Sequence, residues 1–325
     1  MNVLVLSHSD VARLLTMEAC IEVMAEALRT TSRGGAVLPL RSMVWMPDRT
    51  GMIGLMPGYL DPPTSLGFKV VSIFPGNHGT GFDSHQGVVM LFDTRHGSPQ
   101  AIIDASSITA IRTAAVSGVA TRALARDDAG DLAILGSGVQ AQTHLAAMRA
   151  VRKLRRVRVW SRSTANARRF ADKSPVPVEV MPTAAAAVEG ADLICTTTAA
   201  REPILQGAWI APGAHINAVG ACFATARELD TAAVARSRLI VDRKESALNE
   251  SGDFLLARAD GAIGDDHILG ELGDLLLGNF VGRRTSEEVT LFKSLGIAIE
   301  DLAAAHYIYT QAVARGGGVS VPLGP

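Results

Sequence analysis

Cysteine and net charge are both scarce in this chain, and each scarcity excludes something. The three cysteines, Cys20, Cys195 and Cys222, are odd in number and far apart. Neither a disulfide framework nor a zinc site can be drawn from them, and they suit a reducing compartment. The formal net charge is −1, which removes the electrostatic ground for a nucleic-acid or acidic-membrane partner. The one basic run, Arg152-Lys153-Leu154-Arg155-Arg156-Val157-Arg158, is interleaved with apolar residues and reads as a solvated helix end and strand edge. No apolar run approaches the ~20 residues a membrane span needs. The apolar start, Met1 to Leu6, stops at Ser7-His8-Ser9-Asp10, too soon for a secretory signal. The expectation is a soluble cytoplasmic protein with no metal centre.

What the chain has is length and apolar content. Its 325 residues, 48% of them hydrophobic, suffice for about two domains with their own cores. The chain is organised around Asp131-Leu132-Ala133-Ile134-Leu135-Gly136-Ser137-Gly138-Val139-Gln140-Ala141-Gln142. An apolar strand runs into Gly-x-Gly-x-x-Ala and then into a helix, the context a dinucleotide-binding turn requires. Gly136 permits the tight turn, Gly138 lets backbone approach a pyrophosphate, and Ala141 lets the helix pack close to its strand. The free N–H groups and positive end of that helix would face the phosphates.

Before this stretch the chain is rich in strands without an alternating strand–helix rhythm, which predicts an α+β domain. The spacing predicts a strand over 3–6 and a helix from Met17 to about Thr30 capped by Thr16. Further strands are expected over 42–46, 51–57, 66–74, 86–93 and 100–103, with a Gly-rich loop over 75–81. A long helix over about 107–125 leads into the second half. There the rhythm becomes strand–helix–strand, with strands over 132–135, 157–160, 178–181, 193–196, 215–219 and 239–241. That alternation predicts a doubly wound parallel sheet, the Rossmann form of the α/β class. A last helix, about 297–314, is apolar along one side and lies beyond the nucleotide domain.

The second strand of that domain ends Trp160-Ser161-Arg162-Ser163, where an NAD-preferring site usually carries an acid. Hydroxyls and a guanidinium would instead bind a 2′-phosphate, so NADPH is the expected coenzyme, with NADH as the lesser one. Arg162 opening a solvated loop is the plainer alternative. In the first half, Arg41, Lys69 and Arg112 stand in apolar company. Buried charges are rare unless paired or functional. Either a small carboxylate substrate or an internal salt bridge to Asp or Glu would pair them.

Over nearly its whole length the chain resembles the ornithine cyclodeaminase/mu-crystallin family. The matching pieces are Leu55-Met56-Pro57, Phe68-Lys69, Ser84-His85-Gln86-Gly87, Thr109 to Ala115, Leu135 to Ala141, Pro212 to Gly220, and Phe292-Lys293-Ser294-Leu295-Gly296. The resemblance implies a homodimer in which a Rossmann domain (117–295) is inserted into a discontinuous α+β substrate-binding and dimerisation domain (1–116 and 296–325). It implies that Arg41, Lys69 and Arg112 surround the substrate carboxylate, with Gly54, Met56 and Cys222 shaping the pocket. The coenzyme would contact Ser84, His85, Gln86, Arg112, Gly136, Ser137, Gly138, Val139, Gln140, Ser161, Arg162, Ser163, Asn166, Thr196, Thr197, Thr198, Val219 and Ser294. Read alone, His85 would be an ordinary core histidine.

Two departures select the branch. Cyclodeaminases of the family carry an acid just before Leu-Met-Pro and an Asp shortly after Ala-Val-Gly. Here those places hold Gly54 and Cys222. The mu-crystallin-like ketimine reductase branch is likewise non-acidic at both. The implied activity is therefore reduction of Δ1-pyrroline-2-carboxylate or Δ1-piperideine-2-carboxylate to L-proline or L-pipecolate. Lys69 would bind the carboxylate and deliver or keep the imine proton, with its pKa lowered by the arginines beside it. The alternatives are an ornithine or lysine cyclodeaminase with bound NAD, an amino-acid dehydrogenase like alanine dehydrogenase, and a non-catalytic NADPH-dependent binding protein.

Overall fold

The computed structural model describes residues 1–77 and 80–324. Two residues of the loop expected over 75–81 thus lie outside the described residues, and Pro75–Asn77 form a 3-10 turn. The chain divides into two compact units, one of residues 1–112 and 296–325, the other of residues 113–295.

The first unit is built on a mixed sheet. Its strands lie in the order Val319–Pro322, Asn2–Leu6, Pro99–Asp104, His85–Phe92, Ser65–Ile73, Met52–Leu60 and Ala36–Val37, with Ser42–Trp45 also paired to Met52–Leu60. Asn2–Leu6 runs parallel to Pro99–Asp104, and the other pairings are antiparallel. Side chains alternate across a strand. Met52, Gly54, Met56, Gly58 and Leu60 are accordingly buried, whereas Ile53, Leu55 and Pro57 are exposed. The helix Ala298–Arg315 packs on the buried side, against Met52–Leu60, Ser65–Ile73 and the helix Met17–Ser32. A Cβ on Gly58 would lie 3.2 Å from Ala298 Cβ and Leu302 Cδ1, so the small residue is what lets the helix seat this closely. Thr16 caps Met17–Ser32 by accepting the Ala19 N–H, and that helix buries Cys20, Ile21, Met24 and Leu28.

Three elements of this unit escape the sequence reading, the shortest being the two-residue strand Ala36–Val37. Ser7 and Asp10 form a reciprocal capping box that starts a short helix, His8–Leu14. The strand Val319–Pro322 has no turn signal beyond three glycines before it.

The second unit holds a parallel sheet in the order Glu179–Val180, Arg156–Trp160, Asp131–Leu135, Leu193–Thr196, His215–Ala218, Val289–Lys293, Ser237–Val241 and Ile268–Glu271. Every pairing is parallel. Leu193–Thr196, His215–Ala218 and Val289–Lys293 are buried at every position, as expected of strands covered on both faces. Six of the eight strands follow the rhythm read from the sequence. Val289–Lys293, which inserts between His215–Ala218 and Ser237–Val241, and the edge strand Ile268–Glu271 do not. The order reverses between Asp131–Leu135 and Leu193–Thr196, and at such a switch point the carboxyl ends of the strands form a ligand crevice. Among the described residues no helix is long and apolar enough to cross a membrane.

Candidate active site

In the first unit, the strand Ser65–Ile73 turns Lys69 to the buried side. Lys69 pairs in register with Met56, and Gly54 lies two residues along on the same face. Arg112 sits in the helix Ala105–Leu124. Both cations are buried, at 3% and 4% exposure. Each has a partner from the first turn of Ala298–Arg315. Lys69 Nζ lies 2.6 Å from Asp301 Oδ2, and Arg112 donates from Nε to Asp301 Oδ1 at 2.9 Å. Arg112 Nη1 also donates to Glu300 Oε2 at 2.7 Å. The internal salt bridge left open by the sequence is therefore present, and the protein's own acids pair these two cations. Arg41 is half-buried and donates from Nη2 to the Gly296 carbonyl at 3.0 Å. Gly296 has φ +74°, and a Cβ there would stand 2.5 Å from Arg112 Nη1. Only glycine fits, because both the backbone region and the guanidinium forbid a side chain.

Burial pushes the Lys69 ammonium down to about 8, with Arg112 and Arg41 adding to the fall and Asp301 opposing it. The direction agrees with the sequence reading, but the leading cause is desolvation rather than neighbouring charge. Burial would raise the Asp301 carboxyl, yet Arg112 and Lys69 outweigh it and hold it below the usual carboxylate range. Glu300 and Asp301 were missed from sequence.

Ser84, His85 and Gln86 stand at the start of the strand His85–Phe92. His85 is exposed, which removes the core-histidine alternative, and its Nδ1 lies 3.1 Å from Ser84 Oγ. Gln86 Nε2 donates to the Asp83 carbonyl.

In the second unit, Asp131–Leu135 runs into Gly136 at φ +127°, where a Cβ would stand 2.6 Å from Thr197 Oγ1. Gly138 is the N-cap of the helix Val139–Val151 and makes no side-chain cap. A Cβ on Gly138 would meet nothing within 4 Å, which is the open approach a pyrophosphate needs. Val139 is 63% exposed and Ala141 fully buried; Gln140 follows in the first turn and its carbonyl faces His144 Nδ1. Ser137 Oγ donates to Ser161 Oγ at 2.9 Å, joining the glycine turn to the end of the second strand. Arg162 is exposed. Ser163 caps the helix Thr164–Asp172 by accepting the Asn166 N–H, and the Asn166 side chain accepts from Arg169. No acid occurs from Ser161 to Asn166.

The remaining residues lie at the carboxyl ends of the central strands. Thr197 N–H donates to the Leu135 carbonyl and Val219 N–H to the Thr196 carbonyl. Ser294 N–H donates to the Ala218 carbonyl, while its Oγ is buried with no hydrogen-bond partner among the described residues. A buried hydroxyl without a partner costs free energy, and a coenzyme amide or ribose would satisfy it. Cys222 is half-buried and its thiol donates to the Val219 carbonyl at 3.3 Å. Together the open Gly138, the bridged serines and the orphan Ser294 hydroxyl fit a nicotinamide dinucleotide.

A sequence profile of the ornithine cyclodeaminase/mu-crystallin family matches residues 1–316. Ketimine reductase mu-crystallin of Mus musculus is 43% identical over 276 residues, 85% of each chain. A Δ1-pyrroline-2-carboxylate reductase of Bacillus cereus is 37% identical over 320 residues, covering 97% of this chain and 98% of its own. Among solved structures, Thermococcus litoralis Δ1-pyrroline-2-carboxylate reductase in complex with NADH and L-proline superposes with a TM-score of 0.96. It is 40% identical and spans 98% of this chain and 100% of its own.

Proposed function

Because the chain belongs to the ornithine cyclodeaminase/mu-crystallin family, we propose that it reduces a cyclic ketimine acid with a reduced nicotinamide coenzyme. The substrate is Δ1-pyrroline-2-carboxylate or Δ1-piperideine-2-carboxylate, and the product L-proline or L-pipecolate. The observation that carries the reading is the buried Lys69, fixed 2.6 Å from Asp301 Oδ2 on a carboxylate it shares with Arg112, where burial lowers its ammonium to about 8. An acid of that strength suits proton delivery near neutral pH.

Arg41 and Arg112 bind the substrate carboxylate. Arg112 is already oriented by Glu300 and Asp301 through Nη1 and Nε, so little freedom is lost when substrate arrives, and such positioning supplies several kcal/mol. Lys69 Nζ holds a proton on the imine nitrogen, because an iminium carbon accepts hydride far better than a neutral imine. When bound, the coenzyme supplies the hydride. The nitrogen keeps the proton given by Lys69, which is restored from solvent. Gly54 and Met56 shape the pocket beside Lys69 on the same face of the sheet.

Cyclodeamination is disfavoured by the same two positions. It requires carboxylates to manage the substrate amino groups during ring closure, and Gly54 and Cys222 offer none. NADPH is preferred over NADH, since Ser161, Arg162 and Ser163 attract a 2′-phosphate and no acid repels it. The active form is a homodimer. Support comes from the outer side of the first sheet, where Val44, Ile53, Leu55, Leu66 and Val88 are 38–65% exposed.

The test is a panel of five- and six-membered cyclic imines with both coenzymes, followed by loss of nicotinamide absorbance. Turnover is expected with a cyclic imine and not with pyruvate plus ammonia. Ammonia release from ornithine without net coenzyme turnover overturns the reading.

A further inference from the structure

Three ionisable groups buried in the second unit have no part in the reaction above: Glu228, Asp253 and Lys293, exposed by 0%, 2% and 1%. Burying charges together is costly unless each is paired and hydrogen-bonded. Lys293, at the end of Val289–Lys293, places Nζ 2.9 Å from Asp253 Oδ2. Asp253 Oδ1 accepts the backbone N–H groups of Glu228 and Leu229 at 2.8 and 3.0 Å. Glu228 is thus anchored from behind.

Its side chain reaches the carboxyl ends of two adjacent strands, Leu193–Thr196 and His215–Ala218. Glu228 Oε1 accepts the Thr198 N–H at 2.6 Å and the Thr198 hydroxyl at 2.7 Å. Oε2 accepts the Gly220 N–H at 2.7 Å and the Thr196 hydroxyl at 2.8 Å. Each oxygen therefore takes one backbone N–H and one threonine hydroxyl. Hydroxyls can turn, but N–H groups only donate. A glutamine, whichever way its amide is turned, would set its NH2 against one backbone N–H, so the site demands two acceptor oxygens. The fit leaves no slack: a Cβ on Gly220 would lie 2.0 Å from the Thr198 carbonyl oxygen and 2.7 Å from Glu228 Oε1.

We infer that Glu228 is a positioning residue whose carboxylate, backed by Asp253 and Lys293, locks residues 196–198 and 219–220 into the shape that receives the nicotinamide end of the coenzyme. The inference rests on the reading of that edge as the coenzyme site. Thr197 and Val219 still donate to the neighbouring strands, and the Thr198 and Gly220 N–H groups just beyond them take their acceptors from Glu228. Glu228 supplies the acceptors for both loops from a single side chain, so displacing it releases both together.

The experiment titrates NADPH fluorescence against the full-length protein, E228Q and T198V, with melting curves and Michaelis constants for both substrates. E228Q is expected to bind NADPH about tenfold or more weakly, the loss of one charge-assisted hydrogen bond and a donor–donor clash. The KM for NADPH rises by the same factor, while the KM for the imine stays within about twofold. T198V, which removes one hydroxyl and keeps both N–H donors, gives a smaller loss of about threefold. NADPH affinity of E228Q within about twofold of wild type overturns the clamp. An equal rise in both Michaelis constants, the mark of general damage, does so too. Should E228Q fail to fold, T198V decides, and unchanged NADPH affinity in it overturns the inference. If the wild-type protein binds neither NADPH nor NADH, the coenzyme reading itself fails instead.

Discussion

Asp301 divides its two oxygens between two cations, one to Lys69 Nζ and one to Arg112 Nε. A carboxylate 2.6 Å from an ammonium favours the charged form of the lysine. Removing it must lower the Lys69 pKa further, because burial and the two arginines already act in that direction. In the wild-type enzyme the alkaline limb of kcat/KM is expected near pH 8, where Lys69 loses its proton. In D301N the limb is expected to move to lower pH by about one unit or more. A limb that stays put or moves upward would show that Lys69 is not the acid. Arg162 offers a second test. Its replacement by alanine should raise the KM for NADPH by about tenfold or more, the worth of a charged hydrogen bond to phosphate. The KM for NADH should change little, and equal effects on both coenzymes would show that Arg162 does not read the 2′-phosphate. Lys69 and Arg112 were legible in the sequence because a cation in an apolar run is conspicuous. Their partners were not. Glu300 and Asp301 lie in the first turn of a helix, where acids are ordinary through the helix dipole, and nothing local separates a dipole acid from a buried salt-bridge acid.

The turn between Asp131–Leu135 and Val139–Val151 separates folding from binding across two glycines. Gly136 combines φ +127° with a Cβ position 2.6 Å from Thr197 Oγ1, so G136A strains the fold and is expected to cost about 1–3 kcal/mol, read as a lower melting temperature. Gly138 has an extended backbone and open space at its Cβ, so G138A should melt within about 0.5 kcal/mol of wild type. Its added methyl group occupies the approach to the helix N-terminus, and coenzyme affinity should fall by about tenfold. Loss of stability without loss of affinity in G138A would mean that the turn does not receive a pyrophosphate. This element was readable because its function is encoded in local spacing. The strand Val289–Lys293 was not readable in the same way. Its five residues follow a long irregular segment and sit between strands that precede them by fifty residues or more, as with Ser237–Val241. A strand whose place is fixed only by distant partners leaves no periodic mark of its own. The expected strand at 178–181 shrank to Glu179–Val180 for a related reason, since an edge strand has only one neighbour to hold it.

The first sheet has two apolar sides, and among the described residues helices pack on one of them while Val44, Ile53, Leu55, Leu66 and Val88 stay exposed on the other. On the side of Gly54, Met56 and Lys69, the helix Ala298–Arg315 supplies the cover. On the other, register aligns Val44 with Ile53, Leu55 with Val70, Val70 with Val88, and Phe68 with Met90. Phe68 and Phe92 pack there with ring centroids 5.8 Å apart. Monomers rarely leave a contiguous apolar patch of more than a few hundred Å² in water. A second copy would cover it by meeting the same patch across a two-fold axis, which needs no further partner. The double substitution Ile53→Glu, Leu55→Glu puts two like charges on the face, and the two-fold doubles them across the interface. Each buried unpaired carboxylate costs several kcal/mol, enough to dissociate an ordinary dimer. Light scattering should therefore report a dimer for the wild type and a monomer for the variant. The inner side, with Met52, Gly54, Met56 and Leu60, is untouched by these positions, so the variant should still fold. A wild-type protein that runs as a monomer at micromolar concentration would leave this apolar side without an occupant and overturn the assignment.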